Sequence, residues 1–308
     1  MSAPLPDTAL ELWLVDLDAT AGRLMAAEAD CSRLSPQEAE RAQAIIDDSA
    51  RRRWLSAHIA LRLLLERWGG AGLRSQPFQV APGGRPFLPG PAPHFSLSHA
   101  GQFALIGLTR SAPLGVDIEV ISPRIMPLER RSRLVAFAND VAGGAELPDV
   151  HPSLASGARA AAGPAESADV ETAIFIQAWC RVEAFAKADG RGLLAVLSQA
   201  GIMGPAEDAL GAGDHTAGAK EVCASPGPVR GQVRDGPCPS PGQLSGYRVW
   251  DVPLGSDAQG YAAAVALARG AHISSDALVP LVLEDIGAAS TPLMRQADVV
   301  LSPPDDGG

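Results

Sequence analysis

The hexapeptide GVDIEV at 115–120 limits the possible folds more than any other stretch of this chain. Its β-branched and apolar residues suit a strand. On a strand, side chains two apart leave the same face, so Asp117 and Glu119 share one side and Val116 and Ile118 the other. An apolar face on one side and two carboxylates on the other require a partner with matching chemistry. The candidate lies at 179–193, WCRVEAFAKADGRGL, which reads as a helix with Trp179, Glu183 and Lys187 stacked at four-residue spacing. If strand and helix pack together, Asp117, Glu119 and Glu183 converge as an all-oxygen site of the kind Mg²⁺ takes, and Lys187 is left to hold a phosphate. Taken separately, the blocks have ordinary readings: an exposed edge strand with alternating charges, and a surface ion pair between Glu183 and Lys187 worth about 0.3–0.5 kcal/mol.

Composition excludes several classes. With 308 residues, 46% of them hydrophobic, the chain can bury one large core or two ordinary ones. A formal net charge of −10 argues against general nucleic-acid binding, which needs clustered Lys and Arg to release counterions, so any anion site must be local. Only Lys187 and Lys220 are lysine, which makes a lysine inside the carboxylate helix more informative. The four cysteines, Cys31, Cys180, Cys223 and Cys238, fall at no metal-ligand spacing. With no charged-then-apolar leader and no apolar run long enough to span a membrane, the expectation is a reduced, cytoplasmic, soluble protein with no membrane or nucleic-acid partner.

Along the chain, Leu10–Leu17 alternates as an opening strand. Ser35, Pro36 and Glu38 form a helix start, and apolar residues recur at three and four from Glu38 to Trp68, with a break near Asp47 to Ser49 and a stop at Gly69-Gly70. Residues 83–93 are loop, and FSLSHAGQFALIGLT at 95–109 reads as two strands around Ala100-Gly101. Two Gly/Pro-rich stretches, 138–169 and 201–245, read as mobile insertions either side of a helix over 171–188. Strands follow at 247–252 and 261–268, and 271–308 reads as a flexible tail with one apolar patch at 278–283.

In chain order, an arginine-bearing helix ending in LRLLLE, a GRP turn at 84–86, FSLSHA, GVDIEV and the pattern WxxxEAxxKxxGxGL resemble the 4′-phosphopantetheinyl transferase superfamily, in the branch typified by the enzyme that activates surfactin synthetase. The resemblance spans roughly 10–268. It implies an α+β fold: a monomer of two similar, pseudo-duplicated α/β halves, here 1–110 and 111–270, with coenzyme A in the cleft between them. It implies transfer of phosphopantetheine from coenzyme A to a serine of an acyl or peptidyl carrier protein, releasing adenosine 3′,5′-bisphosphate. By the same resemblance Asp117, Glu119 and Glu183 bind Mg²⁺ and Lys187 meets phosphate. His99 and Arg85 face the nucleotide end, with Ser98 beside them. Of the arginines at 51, 52, 53 and 62, helix geometry prevents all from facing one ligand, and Arg53 joins Arg85 as the choice. The carrier serine's proton goes to Glu183 or to a water on the ion. Val182 stands where many members have lysine, so one basic contact is expected to be missing. A coenzyme A or carrier-binding module without catalysis and a Mg²⁺-dependent nucleotide phosphohydrolase are the alternatives.

Overall fold

Alternation with period two sorts the longer strands of this protein onto two sheets that share one apolar layer. The computed structural model describes residues 9–143, 164–203, 246–273, 275–282, 297–298 and 300–301. The chain opens with strand β1 (Ala9–Asp16), followed by helices α1 (Leu17–Asp30), α2 (Pro36–Ala44) and α3 (Asp48–Gly69). The short strands β2 (Gln79–Val80) and β3 (Pro86–Phe87) lead to β4 (His94–Ala100), β5 (Phe103–Thr109) and β6 (Gly115–Val120). Then come helices α4 (Leu128–Val141), α5 (Pro164–Asp189) and α6 (Leu193–Gln199), and strands β7 (Tyr247–Asp251), β8 (Tyr261–Ala268), β9 (Ala271–His272) and β10 (Leu281–Val282). The mixture of helix and sheet agrees with the α+β expectation.

The first sheet runs β10-β1-β5-β4 and the second β6-β8-β7. In β1, Leu10, Leu12 and Leu14 point to one face and Trp13 and Val15 to the other. The first set meets Val116 and Ile118 of β6 and Ala263, Val265 and Leu267 of β8, which makes the layer between the sheets. The second set packs with Leu17 and Leu24 of α1 and with Ala57, Leu61 and Leu65 of α3. On the far side of the second sheet, Ala262, Ala264 and Ala266 meet Cys180, Ala184 and Ala188 of α5, with Leu134 and Ala138 of α4 in the same cluster. The order of layers is helix, sheet, sheet, helix.

Because Asp117 and Glu119 have the opposite parity to Val116 and Ile118, they point into the layer between the second sheet and α5. The small residues on both surfaces let that helix come close. Gly115 shows how close: a Cβ there would sit 2.0 Å from the carbonyl oxygen of Ala184 and 2.6 Å from the amide nitrogen of Ala188. Position 115 therefore admits no side chain without displacing α5 from β6.

Two expectations need correcting. The stretch 138–169 is not loop at its described ends: α4 runs to Val141, with Ala138 and Val141 buried against α5, and α5 already begins at Pro164. Residues 144–163 of that stretch, and 204–245 of the second, lie outside the described residues. The 271–308 segment is not all tail. Its β10 pairs in parallel with β1, Trp13 with Leu281 and Leu14 with Val282, because the edge of β1 offers unpaired backbone groups.

Candidate metal and phosphate site

The strand and the helix converge as their spacing requires. Asp117, Glu119 and Glu183 each offer a carboxylate oxygen within 4.8 Å of the others'. All three are buried, at 0%, 3% and 8% exposure, so the edge-strand reading fails. Two cations accompany them. Lys187 Nζ donates to Asp117 Oδ1 at 2.8 Å and to the carbonyl of Val116 at 3.0 Å, so its described partner is Asp117 rather than Glu183 on its own helix. Arg124 Nη2 donates to Glu119 Oε2 at 2.6 Å.

Neighbouring side chains orient these groups. Ser98 Oγ donates to Asp117 Oδ1 at 2.7 Å, which joins β4 of the first sheet to β6 of the second. Two residues back on β4, Ser96 Oγ accepts the N–H of Val116 at 3.0 Å. Trp179 Nε1 donates to Glu183 Oε1 at 2.5 Å, which gives the half-buried indole a role beyond packing. Two buried oxygens, Asp117 Oδ2 and Glu119 Oε1, accept no hydrogen bond from the described residues.

The electrostatics follow from three carboxylates against two cations. Burial first, and then the charge of Asp117, push the Glu183 carboxyl up to about 8. Burial pulls the Lys187 ammonium down, but the charges of Asp117 and Glu183 outweigh it and the group lies above the usual lysine range. A hard divalent cation fits this donor set, because carboxylate oxygens are its preferred ligands and their mutual repulsion is what it relieves. The neighbouring Cys180 thiol is pushed well up by burial and hydrogen-bonds the carbonyl of Ala262, so it is inert.

The other residues expected at the site are held elsewhere. Arg53 makes a two-pronged ion pair with Asp18 in the first turn of α1, at 2.6 and 2.9 Å. Arg85 Nη1 donates to the carbonyl of Ala188 at 2.9 Å, at the end of α5. A cavity of about 400 Å³ is lined by Arg85 together with His94, Phe95, Arg110 and Leu114. His99, next to Ser98 on β4, is half-buried and points to the strand's other side. Arg62 is buried against Glu38, with Nη2 to Oε2 at 2.6 Å, and takes no part in the carboxylate site.

Comparison with known proteins bears on this arrangement. No family model matches the chain. A protein of Synechocystis sp., slr0495, provisionally named as a 4′-phosphopantetheinyl transferase, is 28% identical over 169 residues, covering 54% of this chain and 61% of that protein. The 4′-phosphopantetheinyl transferase psf-1 of Bacillus pumilus is 29% identical over 156 residues, covering 50% of this chain and 56% of that protein. Both similarities support the phosphopantetheinyl transferase superfamily. The chain thus matches less than two thirds of the length of each of these relatives.

Against that background Val182 looks different. It is fully buried in the cluster that joins α4, α5 and the second sheet, so position 182 faces the core rather than the carboxylates. Arg181 is engaged too, donating to both oxygens of Asp251 at 2.7 Å. The second cation of the site is Arg124, which sequence reasoning misses. Its one signal is proximity, since it is the first basic residue after GVDIEV.

Proposed function

We propose that this protein transfers the 4′-phosphopantetheine group of coenzyme A to a serine of an acyl or peptidyl carrier protein and releases adenosine 3′,5′-bisphosphate, as a cytoplasmic monomer of the surfactin-synthetase-activating branch. The observation that carries the reading is the convergence of Asp117, Glu119 and Glu183 from β6 and α5, with Lys187 on the same carboxylate. These three residues would hold Mg²⁺, which supplies charge neutralisation at the pyrophosphate when bound. Lys187 contributes a point positive charge to the same phosphate oxygens. Either Glu183 or a water on the ion would take the serine proton. Ser98 and Trp179 hold the carboxylates in orientation.

The nucleotide end of coenzyme A is assigned to three side chains away from the metal ligands, Arg53, Arg85 and His99, of which Arg85 lines the cavity of about 400 Å³. In this reading residues 1–110 and 111–270 are the pseudo-duplicated halves, and the coenzyme lies in a cleft between them.

The test is a panel of apo carrier proteins from fatty-acid, polyketide and nonribosomal-peptide synthases, incubated with coenzyme A and Mg²⁺ and weighed intact. A phosphopantetheinyl mass gain on at least one carrier is expected, falling by roughly 10²–10³-fold in rate in Asp117→Ala. No gain on any carrier would overturn the transferase reading. Release of adenosine bisphosphate with no carrier present would replace it with a phosphohydrolase, and coenzyme binding without turnover or Mg²⁺ dependence would replace it with a binding module.

A further inference from the structure

The five charged groups of the site are unequally reachable. The three carboxylates form a buried floor, whereas the side chains of Lys187 and Arg124 are each 31% exposed. The cations stand at the mouth, where an anionic ligand arriving from solvent meets them first. Lys187 belongs to the recognised helix pattern. Arg124 belongs to none, and its position suggests more than an ion pair.

Arg124 lies in the segment between β6 and α4, with Pro123 before it and Pro127 three residues after it, which limits the backbone conformations of the loop. The adjacent Ile125 is fully exposed, so the loop runs over the surface. The guanidinium touches two parts of the site at once. Nη2 is bound to Glu119, and Cζ lies 5.4 Å over the ring of Trp179, the side chain that donates to Glu183. Arginine presents five donors in a planar fork suited to phosphate, and only one of them has a hydrogen bond to Glu119. A divalent ion taken up by Glu119 competes with that same guanidinium for the carboxylate.

We propose that Arg124 is an exchangeable cation of this site: it neutralises Glu119, yields that carboxylate to the divalent ion, and turns its fork to the diphosphate that enters with the ion. This rests on the metal and phosphate reading above and adds a ligand-contacting residue to it. The proposal has a sign that an ordinary structural ion pair lacks. Removing Arg124 should help the metal and hurt the diphosphate.

The experiment is calorimetric titration of the whole chain with Mg²⁺ alone, and with inorganic pyrophosphate or coenzyme A at saturating Mg²⁺, on the wild type, R124A and R124K. For R124A the expectation is Mg²⁺ binding tighter by roughly 3- to 10-fold and diphosphate binding weaker by roughly 10-fold, since one positive charge near the ion is lost and a charge-assisted contact to phosphate goes with it. R124K should match the wild type with Mg²⁺ alone and fall between the two with pyrophosphate, because it keeps the charge and loses the fork. Thermal melting of each variant separates misfolding from a binding effect. Unchanged or weaker Mg²⁺ binding in a folded R124A, or unchanged pyrophosphate binding, would overturn the exchange while leaving the metal site standing. A wild type that takes up no divalent ion would remove the metal site and the exchange together.

Discussion

Glu38 and Glu183 are buried to nearly the same degree, 6% and 8% exposed, yet their carboxyls move in opposite directions. In both, burial pushes the carboxyl up. At Glu38 that push is outweighed by hydrogen bonds and charge from His58 and Arg62, and the group falls to about 2. At Glu183 the next largest influence is another carboxylate, Asp117, and the group rises to about 8. Glu38 has its countercharges to itself. Arg62 Nε and Nη2, His58 Nδ1 and the N–H and hydroxyl of Ser35 all lie within 3.2 Å of its oxygens. Around Glu183, among the described residues, two cations are held by the other two carboxylates, Lys187 by Asp117 and Arg124 by Glu119. The first arrangement is complete as it stands and locks α2 to α3. The second is short of positive charge, which is the condition under which a site accepts a cation.

The contrast is broken most forcefully from the complete side. Glu38→Ala leaves Arg62, itself 2% exposed, as an uncompensated charge between two helices. Removing one partner of such a buried pair costs about 3–5 kcal/mol. Urea unfolding of the variant should show a loss of that order. A loss below about 1 kcal/mol would mean that Arg62 is satisfied by its bond to the carbonyl of Gln76 and its place over Phe78, and that Glu38 is dispensable.

A pH series sharpens the comparison, because the two glutamates contribute slopes of opposite sign. Glu38 titrates lower in the folded protein than its ordinary 4.5, so its contribution is fully present above pH 4.5 and is lost as pH falls through about 2. Glu183 titrates higher when folded, so the folded state keeps a proton the unfolded chain has released. Stability should therefore decline as pH rises from 4.5 to about 8 and level off beyond. The decline is on the order of a few kcal/mol at most. Urea midpoints between pH 5 and 9 in chelator should show it, and both excess Mg²⁺ and Glu183→Gln should flatten it. An equal slope in Glu183→Gln would assign the effect to another group.

The carboxylate site is legible in the sequence because local rules encode it. Period-two alternation fixes the shared face of Asp117 and Glu119, and four-residue spacing sets Glu183 above Lys187. The helix start at Ser35 is equally plain, and the Ser35–Glu38 capping box is formed. Yet the same glutamate's larger role, as counter-ion to Arg62 on α3, is hidden because the pairing joins residues 24 apart through tertiary packing. That pairing is also why Arg62 reads as available for a ligand when only its helix is considered. Arg124 is hidden for a related reason: it reaches Glu119 through the path of a loop, which no periodicity encodes. Helix α4 is obscured because it has no side-chain cap, at Pro127, and because a boundary placed at 138 by composition cuts off its buried Ala138 and Val141.

The smallest effect on stability, and the finest test of the comparison, comes from one serine in each cluster. Ser35 Oγ donates to Glu38 Oε2 at 2.7 Å, and Ser98 Oγ donates to Asp117 Oδ1 at the same distance. Either serine to alanine loses one hydrogen bond to a buried carboxylate, and about 1–2 kcal/mol of stability is expected in both cases. The consequences for binding should separate. Ser35 supports a carboxylate already matched by Arg62 and His58, so Ser35→Ala should leave Mg²⁺ affinity and carrier modification unchanged. Ser98 shares Asp117 Oδ1 with Lys187 and helps fix the plane of the carboxylate, and with it the direction of Oδ2. Loss of such a supporting contact typically costs 10–100-fold in metal affinity or activity, so Ser98→Ala should weaken Mg²⁺ binding at the low end of that range while melting close to Ser35→Ala. Equal Mg²⁺ affinity in the two variants would show that Lys187 alone suffices to orient Asp117, and that Ser98 serves only to join the two sheets.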